Sequence, residues 1–509
     1  MVMRARWLRC VGSSLAAAFC AASAGAAVYD VGPGQPLAAI GDAPWATLMP
    51  GDVVRIHWRA EPYREKWVIG RSGTAQAPIV VQGVLGPNDE RPIVSGDGAV
   101  TPAPLNFWSE SRGVIKVGGS NTPDSLLAAD VVIENLDVRS AHQSYSFTND
   151  SGGVEPYAQN AAAIFVEAAQ RLTIRNCIVG DSGNGIFVAA ADGETRDIRI
   201  ERNWIVGNGN DGSIREHNTY TSAIGIVYHG NRFGPLRAGA LGNNLKDRSA
   251  GLVVRYNWIE GGNRQLDLVD GEDSAVIVND PSYGETFVYG NVLIEPEGPD
   301  NRQIVHYGGD SGAEEIYRKG VLHFFHNTVV STRAGRTTLL RLSTNDESAD
   351  VRNNVIWTQA AGSELELLSE FGDLVFSHNW VKPGWVDAFG GLAGTITDDG
   401  TNVEALDPFF ADAAAQDFHL LAGSGAIDVA GTLPGVPPAH AIVSQYVEHQ
   451  AIEPRATSDV GPDLGAFETC TALPCPEPAA ALASIAALLA LASTRGDWKR
   501  RTAGFARAD

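Results

Sequence analysis

Cysteine is scarce in this chain: five in 509 residues, and only Cys177 lies away from the ends. Cys10 and Cys20 fall near the start, Cys470 and Cys475 near the finish, where the last two are close enough in sequence to pair. A disulfide framework therefore cannot hold the body together. No CxxC or Cys/His set with zinc spacing is present in the sequence. Basic residues are also few. Lys and Arg number 38 against 60 Asp and Glu, a formal charge of −22, which excludes capture of nucleic acid or an anionic membrane through net charge. Any grip on an anionic partner must be local. Methionine is nearly absent, at 3, while glycine stands at 56 and hydrophobic residues at 44%. That balance favours many strands and turns over a helical bundle.

Long apolar runs are lacking too, and the two that come nearest lie at the termini. Residues 1–26 read as an export signal: Arg4, Arg6 and Arg9 precede an apolar stretch, and Ala22-Ser23-Ala24 and Ala24-Gly25-Ala26 offer small-residue cleavage points. At the other end, the run Ala479–Ala492 falls short of the roughly 20 residues that span a bilayer. It is preceded by Pro476-Glu477-Pro478 and followed by Arg495, Lys499, Arg500 and Arg501. This order resembles the PEP-CTERM sorting signals of Gram-negative bacteria. It departs from them in its Cys-Pro-Glu-Pro start and in the residues after the basic cluster. The resemblance implies an exported protein, extracellular or in the cell envelope, whose tail at 469–509 is handled by sorting or processing machinery.

Between these ends the chain repeats. Short β-rich segments recur with an asparagine near the middle, at Asn135, Asn176, Asn203, Asn231, Asn257, Asn291, Asn327, Asn354 and Asn379. The gaps are 41, 27, 28, 26, 34, 36, 27 and 25. A period near 26, with β-branched residues alternating before the asparagine, fits one coil of a parallel β-helix, with longer gaps marking inserted loops. Stacked asparagines can then bond up a ladder. Leucine-rich repeats lack their leucine spacing here, and a propeller needs a longer unit. The stretches LMPGDVVRIHW and APIVVQG near the start, and DPFFADAAAQDFHLLAGSGAIDVA and DLGAFE near the end, resemble the first and closing coils of right-handed β-helix proteins of the pectin-lyase-like superfamily. The expected organisation is a cap with first coils over 27–100, the right-handed parallel β-helix over 101–430 and a closing coil over 431–468. The chain is expected to be a monomer.

Counting back from the asparagines relates one coil to the next. Lys246 and Tyr220 each lie 11 residues before a marker, so they should stack, with His217 and Arg248 close by. Asp270 and His306 each lie 21 before a marker and should be neighbours. Asp267, Arg264 and Tyr307 fall on the same stretch of wall. Residues 231–265 carry Arg232, Arg237, Lys246, Arg248, Arg255 and Arg264 against Asp247 and Glu260, a local excess of positive charge in an acidic body. Such a strip would attract and orient an anionic glycan. Trp204, Trp258 and Tyr283 could stack on sugar rings, although core packing is the commoner use.

The set His217-Asn218-Thr219-Tyr220, Lys246-Asp247-Arg248, Leu266-Asp267-Leu268, Tyr307-Gly308 and His326-Asn327-Thr328 resembles a group of bacterial β-helix proteins described as polysaccharide-degrading. The chondroitinase B and alginate lyase family is a more distant likeness, implying a catalytic Lys and Arg on such a wall. No cluster matches that family's calcium-binding carboxylates, so no cofactor is expected and the metal question stays open. The leading expectation is a lyase that cleaves a uronic-acid polysaccharide by β-elimination. Arg248 would neutralise the carboxylate, Lys246 would take the C5 proton, and Tyr220 or His217 would protonate the leaving oxygen. Lys246 and Arg248, two apart on a strand, should face one side with Asp247 on the other, and repulsion between the two cations should favour the neutral amine. Asp267, Asp270, Arg264, His306 and Tyr307 would contact substrate. The alternatives are a glycoside hydrolase using Asp267 with Asp270 or Asp273, and a non-catalytic carbohydrate-binding envelope protein.

Overall fold

The computed structural model describes residues 25–298, 301–456 and 460–469. Of the stretches expected to be an export signal, 1–26, and a sorting tail, 469–509, residues 1–24 and 470–509 lie outside the described residues. Among the described residues, no helix is long and apolar enough to cross a membrane.

Three long parallel sheets, of 13, 11 and 10 strands among the described residues, form the walls of a right-handed parallel β-helix. Each coil contributes one strand to each sheet in turn. The coil that carries the Lys-Asp-Arg triplet, for example, runs through Ile224–His229 in the 13-stranded sheet, Arg232–Phe233 in the 11-stranded sheet and Leu245–Asp247 in the 10-stranded sheet. The first parallel strand is Val28–Val31 and the last Val403–Glu404. Alternation within strands builds the core: every second residue points inward and stacks on its counterpart one coil away. One such column reads Val54, Val81, Ile133, Ile174, Ile200, Tyr228, Val254, Val288, Phe324, Val351 and Phe376. Its members are 0% exposed. The residues after Glu404 double back over the outer wall, where Phe418 stacks on Trp258 at 5.6 Å and Tyr446 lies beside it. Trp258 and Tyr283 are thus packing residues, as their usual role suggests, and Trp204 carries Arg232 over its ring.

The asparagine ladder exists and is continuous from Asn203 to Asn402. At each rung, the side-chain oxygen of one asparagine accepts from both the backbone N–H and the Nδ2 of the asparagine below. The pairs run Asn203–Asn231, Asn231–Asn257, Asn257–Asn291, Asn291–Asn327, Asn327–Asn354, Asn354–Asn379 and Asn379–Asn402, at 2.8–3.2 Å. Two markers stand one residue out of line. Asn135 and Asn176 occupy the left-handed position just before the rung, at φ 59° and 53°, and Leu136 and Cys177 take the inward place. Later coils fill that left-handed position with Gly230 or Gly290, or with Arg202, Tyr256 and His326. Asparagine adopts this conformation readily, so one residue type serves two adjacent positions and a single sequence cannot separate them.

Replacing Asn257 by alanine removes the acceptor for two buried donors on Asn231 and the Nδ2 donor to Asn291, whose side-chain oxygen keeps only the backbone N–H of residue 257. Asn257→Ala is expected to cost about 3 kcal/mol, read as a lowered urea midpoint. Asn135→Gly, at a position that needs only the left-handed backbone, should stay within about 0.5 kcal/mol of wild type. Equal effects at the two positions would remove the ladder's role.

Candidate active site

The outward column of the 10-stranded sheet carries the site. Register pairs Tyr220 with Lys246, Lys246 with Asp267, Asp267 with His306 and His306 with Arg341 on successive strands. Tyr220 and Lys246 stack as the spacing predicts. The expected partner of His306 is wrong by three residues: Asp267, not Asp270, lies beside it, with the carboxylate 2.8 Å from Nδ1. The loop 269–284, which holds the short helix Ala275–Val278, changes the count between coils.

Beneath the triplet lies a polar interior. Asp247 faces inward, fully buried, and accepts from Thr221, from the backbone and hydroxyl of Ser249, and from Arg318, itself fully buried, at 3.4 Å. Thr221 also meets the Tyr228 hydroxyl at 2.7 Å. This network holds the strand Leu245–Asp247 so that Lys246 and Arg248 point outward together.

Neither cation is bare. Lys246 Nζ donates to Asp267 at 2.9 Å and to Asp310 at 2.5 Å. Arg248 uses its whole fork: Nε donates to the Tyr220 oxygen at 2.7 Å, Nη1 to the carboxylate and carbonyl of Asp270, and Nη2 to Asp310 at 2.8 Å and Glu272 at 2.6 Å. The expected repulsion between two unmatched cations, which would have made Lys246 a base, is therefore offset by carboxylates bonded to both. The local excess of charge also disperses: Arg232 lies over Trp204, Arg237 pairs with Asp181, and Arg255 bonds His229 and Tyr289 on another wall. A count along one coil samples three faces of the solenoid, and only Lys246, Arg248 and Arg264 of that group belong to this one.

A cavity of about 500 Å³ opens over the column, lined by Ile214, Arg215, His217, Tyr220, Lys246, Arg248, Glu272 and Asp310. The four residues expected to be catalytic all line it. The expected substrate contacts do not. Tyr307 points into the core and is 0% exposed, because alternation turns it opposite to His306. His306 spends both ring nitrogens on Asp267 and Ser343. Asp270 is buried against Arg248 and Ser311, and Arg264 bonds Gln303 through Nε and Nη2. Asp267 and these residues form the scaffold behind the cavity. Sequence reasoning missed Asp310, Glu272 and Arg215. Asp310 follows Gly308-Gly309 directly after a site strand, a signal that an acid sits on a tight loop at the wall's edge.

Burial and charge set the protonation states. Burial, reinforced by Lys246, pushes the His217 imidazole down to about 3. Its Nδ1 accepts from the Asn243 N–H at 2.8 Å, so the proton of the neutral ring sits on Nε2. His217 is thus a hydrogen-bond donor with little acidity, stacked on Tyr220 at 5.8 Å. Burial lifts Tyr220 to about 12, against the opposing pull of Arg248. Burial alone would raise Asp267 and Asp310, but neighbouring cations hold both carboxylates below their ordinary value. Burial raises Glu272. Among the described residues, no group of three or more His, Cys, Asp or Glu side chains is placed to hold a metal ion.

No protein-family model matches the chain, and no curated protein matches it. Among solved structures it is similar to the alginate lyase from Paenibacillus sp. str. FPU-7, at 14% identity and a TM-score of 0.40 over 69% of this chain and 99% of that one. It is also similar to the pectate lyase Pel9A, at 12% and 0.45 over 87% and 96%. A third similar structure is the GH136 lacto-N-biosidase from Eubacterium ramulus, at 12% and 0.39 over 75% and 68%. At these identities and scores none of them assigns a reaction or a residue.

The depressed His217 gives a pH dependence whose sign is fixed. The unfolded chain takes up this proton near 6.5 and the folded chain only near 3, so stability falls as pH drops through that window. His217→Gln keeps an acceptor for Asn243 and removes the titration. It is expected to flatten the dependence of unfolding free energy on pH between 6 and 4 by up to about 1.4 kcal/mol per pH unit, measured by urea unfolding at stepped pH. An unchanged slope would mean that the ring is charged in the fold.

Proposed function

We propose that this is an exported enzyme that cleaves an anionic, uronic-acid polysaccharide by β-elimination in the cavity over Tyr220 and Lys246. The observation that carries the reading is the position of Asp310. Its carboxylate, 34% exposed on a glycine-flanked loop, is gripped at once by Lys246 Nζ and Arg248 Nη2. Two outward cations converging on one accessible carboxylate make a seat for a uronate carboxylate, which would take the place of Asp310.

The roles follow from that seat. Lys246 and Arg248 neutralise the substrate carboxylate and so stabilise the enolate that forms when C5 loses its proton. Lys246 is the neutraliser and not the base, because its nitrogen already donates to two carboxylates. Tyr220, in its phenolate form with Arg248 Nε on the oxygen, takes the C5 proton. The electron pair becomes the C4–C5 double bond as the C4–O bond breaks, and the leaving oxygen recovers the proton from Tyr220. His217 orients a substrate oxygen through Nε2–H. The export signal and the PEP-CTERM-like tail support a location outside the inner membrane of a Gram-negative cell.

A hydrolase reading keeps one specific support. Glu272 is raised and Asp310 lowered while both bond the same Arg248 nitrogen, and carboxyls driven apart in this way suit an acid and its partner. The pair Asp267 and Asp270, which the sequence suggests for this reaction, is too buried and too fully bonded for that work.

Product chemistry separates the two. On a panel of alginate, pectate and glycosaminoglycan, the lyase reading expects an unsaturated sugar that absorbs in the ultraviolet, whereas a hydrolase releases reducing ends without that band. Tyr220→Phe should lower kcat by about 10³-fold or more. Lys246→Ala should lose activity and Lys246→Arg recover part of it, because arginine keeps the charge and cannot serve as a base. With Tyr220 protonated up to about 12, kcat/KM should rise with pH between 6 and 9. A flat profile together with a dead Lys246→Arg would return the base to Lys246.

A further inference from the structure

Past Tyr220 the cavity continues into a second, of about 440 Å³, and Tyr220 and Arg215 line both. This second cavity follows the outward column toward the amino-terminal coils, where Tyr220 is succeeded by Phe187, Phe165 and Lys116 on consecutive strands. Phe187 lies parallel to Tyr220 at 5.1 Å and Phe165 next to it at 5.4 Å. Over the two phenylalanines rests the guanidinium of Arg112, 4.5 Å and 4.7 Å from their centroids.

Arg112 differs from the other cations of the wall. Lys116 is paired with Glu167, Lys246 with two aspartates and Arg248 with three carboxylates. Among the described residues no carboxylate comes within ion-pair distance of Arg112, and its Nε and Nη2 are buried with no hydrogen-bond partner. A guanidinium with two nitrogens shut away from water and bonded to nothing, and with Glu167 acting on it only from beyond ion-pair distance, is held at a cost that a ligand carrying an anion would offset. Across the same cavity the Oε2 of Glu216, a residue 2% exposed, is buried and likewise unpartnered. An orphaned cation facing an orphaned acceptor fits a ligand that carries a carboxylate on one side and hydroxyls on the other. A uronic-acid sugar has that pattern. Coils rise about 4.8 Å apart, close to the length of one pyranose unit in a chain, so a glycan laid along the column meets a new strand with each sugar.

We propose that Arg112, backed by Phe165 and Phe187 and faced by Glu216, is a subsite that reads the carboxylate of a sugar at least one unit away from the bond cleaved at Tyr220. The inference rests on the polyuronate reading for its ligand, and it makes the enzyme selective for chain length and for charge remote from the reaction.

The test is isothermal titration of uronate oligomers, from dimer to hexamer of galacturonate and of mannuronate, and of hexamers whose carboxyl groups are reduced to alcohols. Titrations use the non-cleaving Tyr220→Phe protein with and without Arg112→Gln. Arg112→Gln should weaken binding of the matching hexamer by about tenfold or more and leave the dimer and the reduced hexamer unaffected. In otherwise wild-type protein it should raise KM for polymer with kcat nearly unchanged. Should the neutral variant not fold, Arg112→Lys keeps the charge without the fork and should lose about two- to fivefold. Equal hexamer affinity with and without Arg112, an equal loss for the reduced hexamer, or no binding of any uronate oligomer would overturn the subsite. Charge-dependent binding through Arg112 in a protein that turns over no polyuronate would sustain the subsite and sink the lyase reading alone.

Discussion

Everything on the outer wall depends on vertical register between coils, and the buried asparagine ladder is the interaction that fixes it. A parallel strand displaced by one residue sends its outward side chains into the core and its core residues into water. From Asn203 to Asn402 each coil is tied to the next by a backbone and a side-chain bond to the same carbonyl oxygen. An unmet donor there would cost about 1–3 kcal/mol, so slippage is penalised at every step. Locked in this way, residues far apart in sequence share one outward line: Tyr220, Lys246, Asp267 and His306.

How much of this could be read from the sequence follows from what insertions do to counting. Between Asn203 and Asn257 the gaps are 28 and 26 residues, and there the adjacency of Tyr220 and Lys246 could be deduced. Beyond Asn257, loops of unequal length sit on both sides of the strand Leu266–Leu268, and the count assigned His306 to Asp270 in place of Asp267. The strand pattern itself held the remedy. In Leu266-Asp267-Leu268 the leucines must face inward, which turns Asp267 outward, and the same alternation turns Tyr307 inward beside His306. Asp310 and Glu272 escaped the count for a different reason. They lie in loops, where no periodicity relates a residue to the wall it approaches.

Charge was the least transferable inference. A run of sequence around one coil visits three sheets, so an excess of arginine in it becomes single cations on separate faces. On the site wall the cations are not free either. Lys246 and Arg248 between them hold Asp267, Asp270, Glu272 and Asp310. The wall presents an ordered lattice in which carboxylates outnumber the two cations, with Asp247 and Arg318 continuing it into the core. Such a lattice is costly to bury and contributes little attraction at a distance. What it provides is placement.

Placement is what the proposed elimination on a uronate needs, because its transition state differs from the ground state chiefly in where negative charge sits. Arg248 links the two places where that charge would matter: its Nε meets the Tyr220 oxygen, proposed to take up and return a proton, and its Nη2 meets Asp310 in the proposed carboxylate seat beside Lys246. With Asp310 in the seat the cations are already desolvated and oriented. Exchange of Asp310 for a substrate carboxylate then trades one anion for another with little reorganisation of the lattice. The deeper carboxylates, Asp267 and Asp270, are buried at 2% and 0% exposure and cannot leave, so the trade is confined to the acid on the glycine-flanked loop. A wall built as a simple basic strip would bind polyanions more tightly at long range. It would also have to desolvate and align its cations in every catalytic cycle, a cost that the paired arrangement meets once, on folding.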